Sequence, residues 1–142
     1  MKKNFKRKNW KLKVMKIILY NAMIPLNPRT KKNDMRIIKN SRTGRPMVIQ
    51  SPKYIEYEQN AGWFLRKPPV PISKPVNVKC TFYRDSERRV DLTNLLEAVD
   101  DILVKYKVLA DDNFKIIAGH DGSRVFVDKK KPRTEIEISE IN

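Results

Sequence analysis

Between Leu92 and Tyr106 the apolar residues Leu92, Leu95, Leu96, Val99, Ile102, Leu103 and Tyr106 recur at spacings of three and four without a break. That period predicts a helix with one buried stripe. Upstream, Val76, Val78, Cys80 and Phe82 alternate with Asn77, Lys79, Thr81 and Tyr83, the period of a strand with one buried and one wet face. A second helix is expected after Ser51-Pro52, an N-cap and a first-turn proline. Tyr54, Tyr57, Ala61, Phe64 and Leu65 follow at helical spacing until Pro68-Pro69 stops it.

The remaining pattern is shorter in range. Val14 to Tyr20 reads as the first strand, ended by the Pro25 to Pro28 region. Arg36 to Lys39 and Met47 to Gln50 flank Ser41-Arg42-Thr43-Gly44-Arg45-Pro46 as a hairpin with a cationic tip. After the long helix, Asn113 to Ala118 reads as a strand, Gly119-His120-Asp121-Gly122 as a turn, Val125 to Val127 as that strand's partner, and Thr134 to Ser139 as the last strand. Hairpins mixed with two helices predict an α+β fold, a small mixed β-sheet with two main helices packed on it.

Composition narrows the partners. The 142 residues, 40% of them hydrophobic, suffice for one core, and the reading is a basic N-terminal arm (1–13) followed by a single domain (14–142). Lys and Arg number 31 against 16 acids, a formal charge of +15, which makes a polyanion the expected partner. Arg29, Lys31, Lys32, Arg42, Arg45, Arg88 and Arg89 are the candidate DNA contacts; each tract alone is more often a solvated loop, but together they set the sign of the field. Cys80 is the single cysteine, so no intrachain disulfide or cysteine-based zinc cluster is available. Lys16 interrupts the early apolar run, which is too short for a signal or a membrane span, so a cytoplasmic protein with no membrane partner is expected.

Several chemistries are excluded or demoted. The chain has no phosphate-binding glycine-rich loop, and Ser123 has neither a nucleophile elbow nor a plausible triad. His120 is the only histidine and reads as a turn residue, since a multi-histidine metal nuclease would need others. Tyr54, Tyr57 and Phe64, at helical spacing, read as core or dimer surface rather than as base-stacking platforms.

The acids around the long helix carry the remaining signal. Asp91 stands at the junction of strand and helix, where its carboxylate can cap free backbone N–H groups or bind a ligand. At about 100° per residue, Asn94, Glu97 and Asp101 share a face opposite the leucine stripe. Asp111 and Asp112 follow the helix, either as a polar turn or as site residues. If the return strand pairs beside the one preceding Asp91, Asp112 approaches Asp91. Convergent carboxylates suit Mg²⁺, a hard cation that takes oxygen donors and keeps part of its hydration.

Arg88-Arg89-Val90-Asp91-Leu92-Thr93-Asn94-Leu95, the helix through Asp101, and Leu109-Ala110-Asp111-Asp112-Asn113 resemble the core of the RusA family of Holliday-junction resolvases, common in phages and prophages. The resemblance covers roughly residues 15 to 140 and is specific only in the centre. It implies a small homodimeric α+β endonuclease that needs Mg²⁺, or Mn²⁺ in its place, and nicks four-way DNA junctions in recombination and repair. Asp91 and Asp112 fall on the family's metal-binding aspartates. The family motif usually reads Asp-x-Asp-Asn-Leu-x-Lys, and here Thr93 replaces the second aspartate and Glu97 the lysine. Glu97 or Asp111 is expected to supply the missing carboxylate and Arg88 or Arg89 the missing phosphate contact, with Asn94 ordering the helix start and Asp101 as a further supporting group. The alternative is a non-catalytic basic DNA- or RNA-binding protein on the same fold.

Overall fold

The computed structural model describes residues 16–31 and 35–141. Its elements run β1 (Ile18–Ile24), β2 (Met35–Lys39), β3 (Pro46–Gln50), α1 (Pro52–Gly62), β4 (Val76–Arg84), α2 (Leu92–Lys105), β5 (Ile117–Gly119), β6 (Arg124–Val127) and β7 (Arg133–Glu140). This is the expected α+β arrangement. β2 and β3 form a separate two-stranded sheet, the predicted hairpin. The basic arm, residues 1–13, and Lys32 lie outside the described residues.

The main sheet has the order β1-β7-β4-β5, with β6 also paired to β4. Its registry explains the core. Tyr20 lies opposite Ile138, which lies opposite Val78; Ala22, Ile136 and Cys80 form the next row, and Ile24, Thr134 and Phe82 the third. Because side chains alternate across a strand, these rows share one face. There Tyr20, Ile24, Val78, Cys80, Phe82, Ile136 and Ile138 are buried with Tyr54, Tyr57 and Ala61 of α1 and Leu95, Val99, Ile102 and Leu103 of α2. The alternate rows, Asn21-Glu137-Lys79 and Met23-Glu135-Thr81, occupy the wetter face. One dry and one wet face is the arrangement that a largely antiparallel sheet tolerates.

Three local expectations are corrected. The first strand begins at Ile18 and continues to Ile24, because pairing with β7 continues through Asn21 and Ala22 to Thr134; Val14 is outside the described residues. Residues 113–116 are a helical turn rather than strand, with the Ile116 and Ile117 N–H groups both donating to the Asn113 carbonyl at 3.0 and 2.9 Å. β6 does not pair with β5. Both run parallel to β4, β5 against Val76 and Asn77 and β6 against Thr81 to Arg84. The segment containing His120 is thus a break within one interrupted edge, not the tip of a hairpin.

The helices are held by their ends. Ser51 caps α1, its Oγ accepting the Tyr54 N–H at 3.2 Å. α2 closes with Lys107 in the left-handed region (φ 60°), while Val108 N–H bonds back to the Leu103 carbonyl at 2.9 Å. This is the turn in which glycine is usually favoured. The Tyr106 hydroxyl donates to the Glu58 carbonyl at 2.8 Å, and its ring lies so close to Gly62 that a Cβ there would stand 2.4 Å away. Gly62→Ala is therefore predicted to cost about 1–3 kcal/mol by overpacking this helix contact, whereas Lys107→Gly should stabilise by about 1 kcal/mol through relief of left-handed strain. Urea midpoints check both signs, and an unchanged midpoint in Gly62→Ala would show that the ring moves aside freely.

Candidate active site

Between β4 and α2 the chain crosses a basic hollow. Asp85 N–H donates to Asn27 Oδ1 at 3.0 Å, tying this loop to the segment after β1. Arg29, Lys53, Arg84, Arg88 and Arg89 then line a pocket of about 680 Å³ with Asp85 as its single acid. Arg84 Nη1 donates to the Arg88 carbonyl, and its buried Nε–H has no partner among the described residues. Five cations around one acid make this hollow attractive to an anion. Arg29, Arg88 and Arg89 are thus brought together, joined by Lys53 and Arg84, which the sequence did not single out. Arg42 and Arg45 lie instead on the β2–β3 turn, exposed. Lys31 is ion-paired to Asp101 and lies over the Tyr54 ring, 5.8 Å from its centroid.

Val90 borders that pocket, and Asp91 follows as the N-cap of α2. The Asp91 backbone carbonyl accepts the N–H groups of Asn94 and Leu95 at 3.1 and 3.2 Å, but its carboxylate makes no capping bond. It instead accepts from Asn94 Nδ2 at 3.3 Å. The expected capping role of the side chain is therefore absent, and the carboxylate remains at the surface.

One turn into α2 a second pocket, about 190 Å³, is lined by Thr93, Leu96, Glu97, Asp100, Asp112 and His120. The helical members recur at i, i+3, i+4 and i+7, which defines one face. Asp112 reaches this face because the chain after α2 is clamped to Ile72, whose N–H donates to the Val108 carbonyl and whose carbonyl accepts the Ala110 N–H, each at 2.9 Å. Asp111 serves the turn: its carboxylate accepts the Asp112 N–H at 2.7 Å and Asn113 Nδ2 at 3.0 Å. Those donors hold the Asp111 carboxyl below its usual range, the backbone bond foremost, while desolvation and then the neighbouring carboxylates push Asp112 up. Asp112 thus meets Thr93 and Glu97 in one pocket, whereas Asp91 stands at the helix N-terminus two residues before Thr93.

Asp101 turns away to Lys31; the adjacent Asp100 faces the pocket instead. Asp100 Oδ2 and Oδ1 lie 2.8 and 3.0 Å from His120 Nε2, and burial pushes the Asp100 carboxyl up while the imidazole opposes that shift. The loop carrying His120 is fixed from β4. Asn77 Nδ2 donates to the Asp121 carbonyl at 3.1 Å, and Asn77 Oδ1 accepts the Asp121 N–H at 2.7 Å. Ser123 Oγ accepts the Cys80 N–H at 3.0 Å. His120 is therefore more than a turn residue, and the available clue was that Asp100, not Asp101, continues the helical series from Thr93.

Among the described residues no three His, Cys, Asp or Glu side chains form a ready-made metal cage. The donors beside Asp112, the Glu97 carboxylate and the Thr93 hydroxyl, are all hard oxygens, the type Mg²⁺ accepts when waters and substrate phosphate complete its shell. The donor chemistry therefore fits that ion.

A family model described as endodeoxyribonuclease RusA matches residues 25–139. The chain belongs to the RusA family. The match takes in both pockets and every candidate residue described above. No curated protein matches the chain. RusA membership gives the basic hollow a reason, since an endodeoxyribonuclease must hold a polyanionic backbone beside its reacting phosphate. Replacing Arg88 and Arg89 together by alanine should flatten the salt dependence of DNA affinity by about two phosphate contacts, measured as the slope of log affinity against log salt. An unaltered slope would remove both arginines from the interface.

Proposed function

We propose that this chain is a structure-selective endodeoxyribonuclease that resolves four-way DNA junctions in recombination and repair, acting in the cytoplasm as a homodimer with Mg²⁺, or with Mn²⁺ in its place, and of phage or prophage origin. The observation that carries this reading is the RusA match across both pockets, with Asp91 standing in sequence between Val90 at the basic hollow and Thr93 at the acidic one. The arginines hold the phosphodiester backbone by charge-assisted hydrogen bonds. Asp112 is the principal ligand candidate, with Glu97 and Thr93 beside it and Asp91 approaching from the helix N-terminus. The ion, when bound, activates water and neutralises charge developing on the phosphate. Glu97 takes over the carboxylate absent at Thr93; Asp111, committed to its turn, does not. A two-fold dimer matches the two symmetry-related strands of a junction.

Thr93 and Glu97 also favour a second reading, a basic protein that binds branched DNA without cutting it. A synthetic four-way junction and a linear duplex of the same sequence, incubated with the protein and Mg²⁺, separate the two. Paired nicks confined to the junction are expected, lost in Asp112→Asn and Glu97→Gln but retained in Asp111→Asn. Tight junction binding without nicking at any Mg²⁺ or Mn²⁺ concentration would establish the binding protein instead.

A further inference from the structure

The pocket of Asp112 also holds the imidazole of His120, a side-chain type that commonly serves as general acid or base, and its fixed position is not explained by turn geometry. Three supports converge on it. Asp100 lies against Nε2 at 2.8 and 3.0 Å and, as a carboxylate, accepts a hydrogen bond from the N–H of that nitrogen. Both contacts to Asp100 use Nε2, which leaves Nδ1 as the ring nitrogen not engaged by that carboxylate. The loop is anchored to β4 by the two-way Asn77–Asp121 bond and by Ser123, so the ring is placed by the sheet. A proton-transfer group oriented by a carboxylate behind it is a recurrent catalytic arrangement.

We propose that His120 is the general acid of the reaction, with Asp100 as its positioning residue; this rests on the nuclease reading above. In the step, a water oxygen forms a bond to phosphorus and the bond from phosphorus to the leaving sugar oxygen breaks. The imidazolium Nδ1–H passes its proton to that leaving oxygen, and the proton of the attacking water goes to solvent. No electrons are transferred. Asp100 keeps Nε2 protonated and the ring in place, so that Nδ1 faces the reacting phosphate.

The test uses the full chain with Mg²⁺ and two four-way junctions, one ordinary and one in which sulfur replaces the leaving oxygen of the scissile bond. A thiolate leaves without protonation, so a general acid is needed only for the oxygen substrate. His120→Ala and His120→Gln are expected to cut the ordinary junction about 10²–10⁴-fold more slowly and the sulfur junction close to the wild-type rate. Added imidazole should restore part of the His120→Ala loss, and Asp100→Asn should show a smaller loss, again confined to the oxygen substrate. Equal losses on both substrates, or none on either, with wild-type cutting intact, would overturn the role of His120 alone. Failure of the wild-type protein to cut either junction would overturn the nuclease reading and this proposal with it. Thermal unfolding of each variant identifies a folding defect, and His120→Gln, which fills the same space and still donates to Asp100, carries the test if His120→Ala is unstable.

Discussion

Strand β4 is hydrogen-bonded along both edges, antiparallel to β7 from Val76 to Tyr83 and parallel first to β5 and then to β6. This double pairing is the constraint on which the site depends. It forces Val76, Val78, Cys80 and Phe82 into the core, fixes the level at which Arg84 emerges, and so sets where α2 starts. The interruption on the parallel edge is held by β4 itself through Asn77. Asn77 is buried, where an unsatisfied amide would be costly; its two bonds to Asp121 satisfy it and position the loop of His120 at the same time.

From that scaffold follow two surfaces of opposite charge on either side of one helix start. Lys and Arg side chains gather where the β4–α2 loop meets the segment after β1. The carboxylates gather where α2 meets the returning chain. Asp91 separates them, its backbone caps the helix, and its side chain is left unused by the cap. This division lets the cations hold flanking phosphates while the acids stay open to a ligand.

Much of the scaffold was legible in sequence. Period-two alternation gave β4, the three-and-four spacing gave α2, and Ser51-Pro52 gave the start of α1, since each depends on local geometry. Long-range pairing was not legible: β5 and β6 look like partners because they are adjacent strands joined by a turn, yet both find β4. The 113–116 segment carried strand-forming apolar residues, but the Asn113 carbonyl captures two N–H groups and makes a helical turn. Of the side chains lining the two pockets, Asp112, Arg29, Arg88 and Arg89 were visible from motif and charge, whereas Asp91 lines neither. The choice between Asp100 and Asp101 was only half legible, because Asp100 continues the helical series from Thr93 while Asp101 continues it from Glu97, and their roles are decided by what lies opposite, His120 for Asp100 and Lys31 for Asp101.

In the proposed reaction the ion and the scissile phosphate meet at the acidic face of α2 rather than at any other carboxylate group of the chain. Paramagnetic broadening by Mn²⁺, followed in amide spectra of the full chain bound to an uncleavable four-way junction, locates that ion directly. Broadening is expected to be strongest at Thr93, Glu97 and Asp112 and to extend to His120. Strongest broadening around Asp128 and Glu135, or none localised at α2, would contradict it.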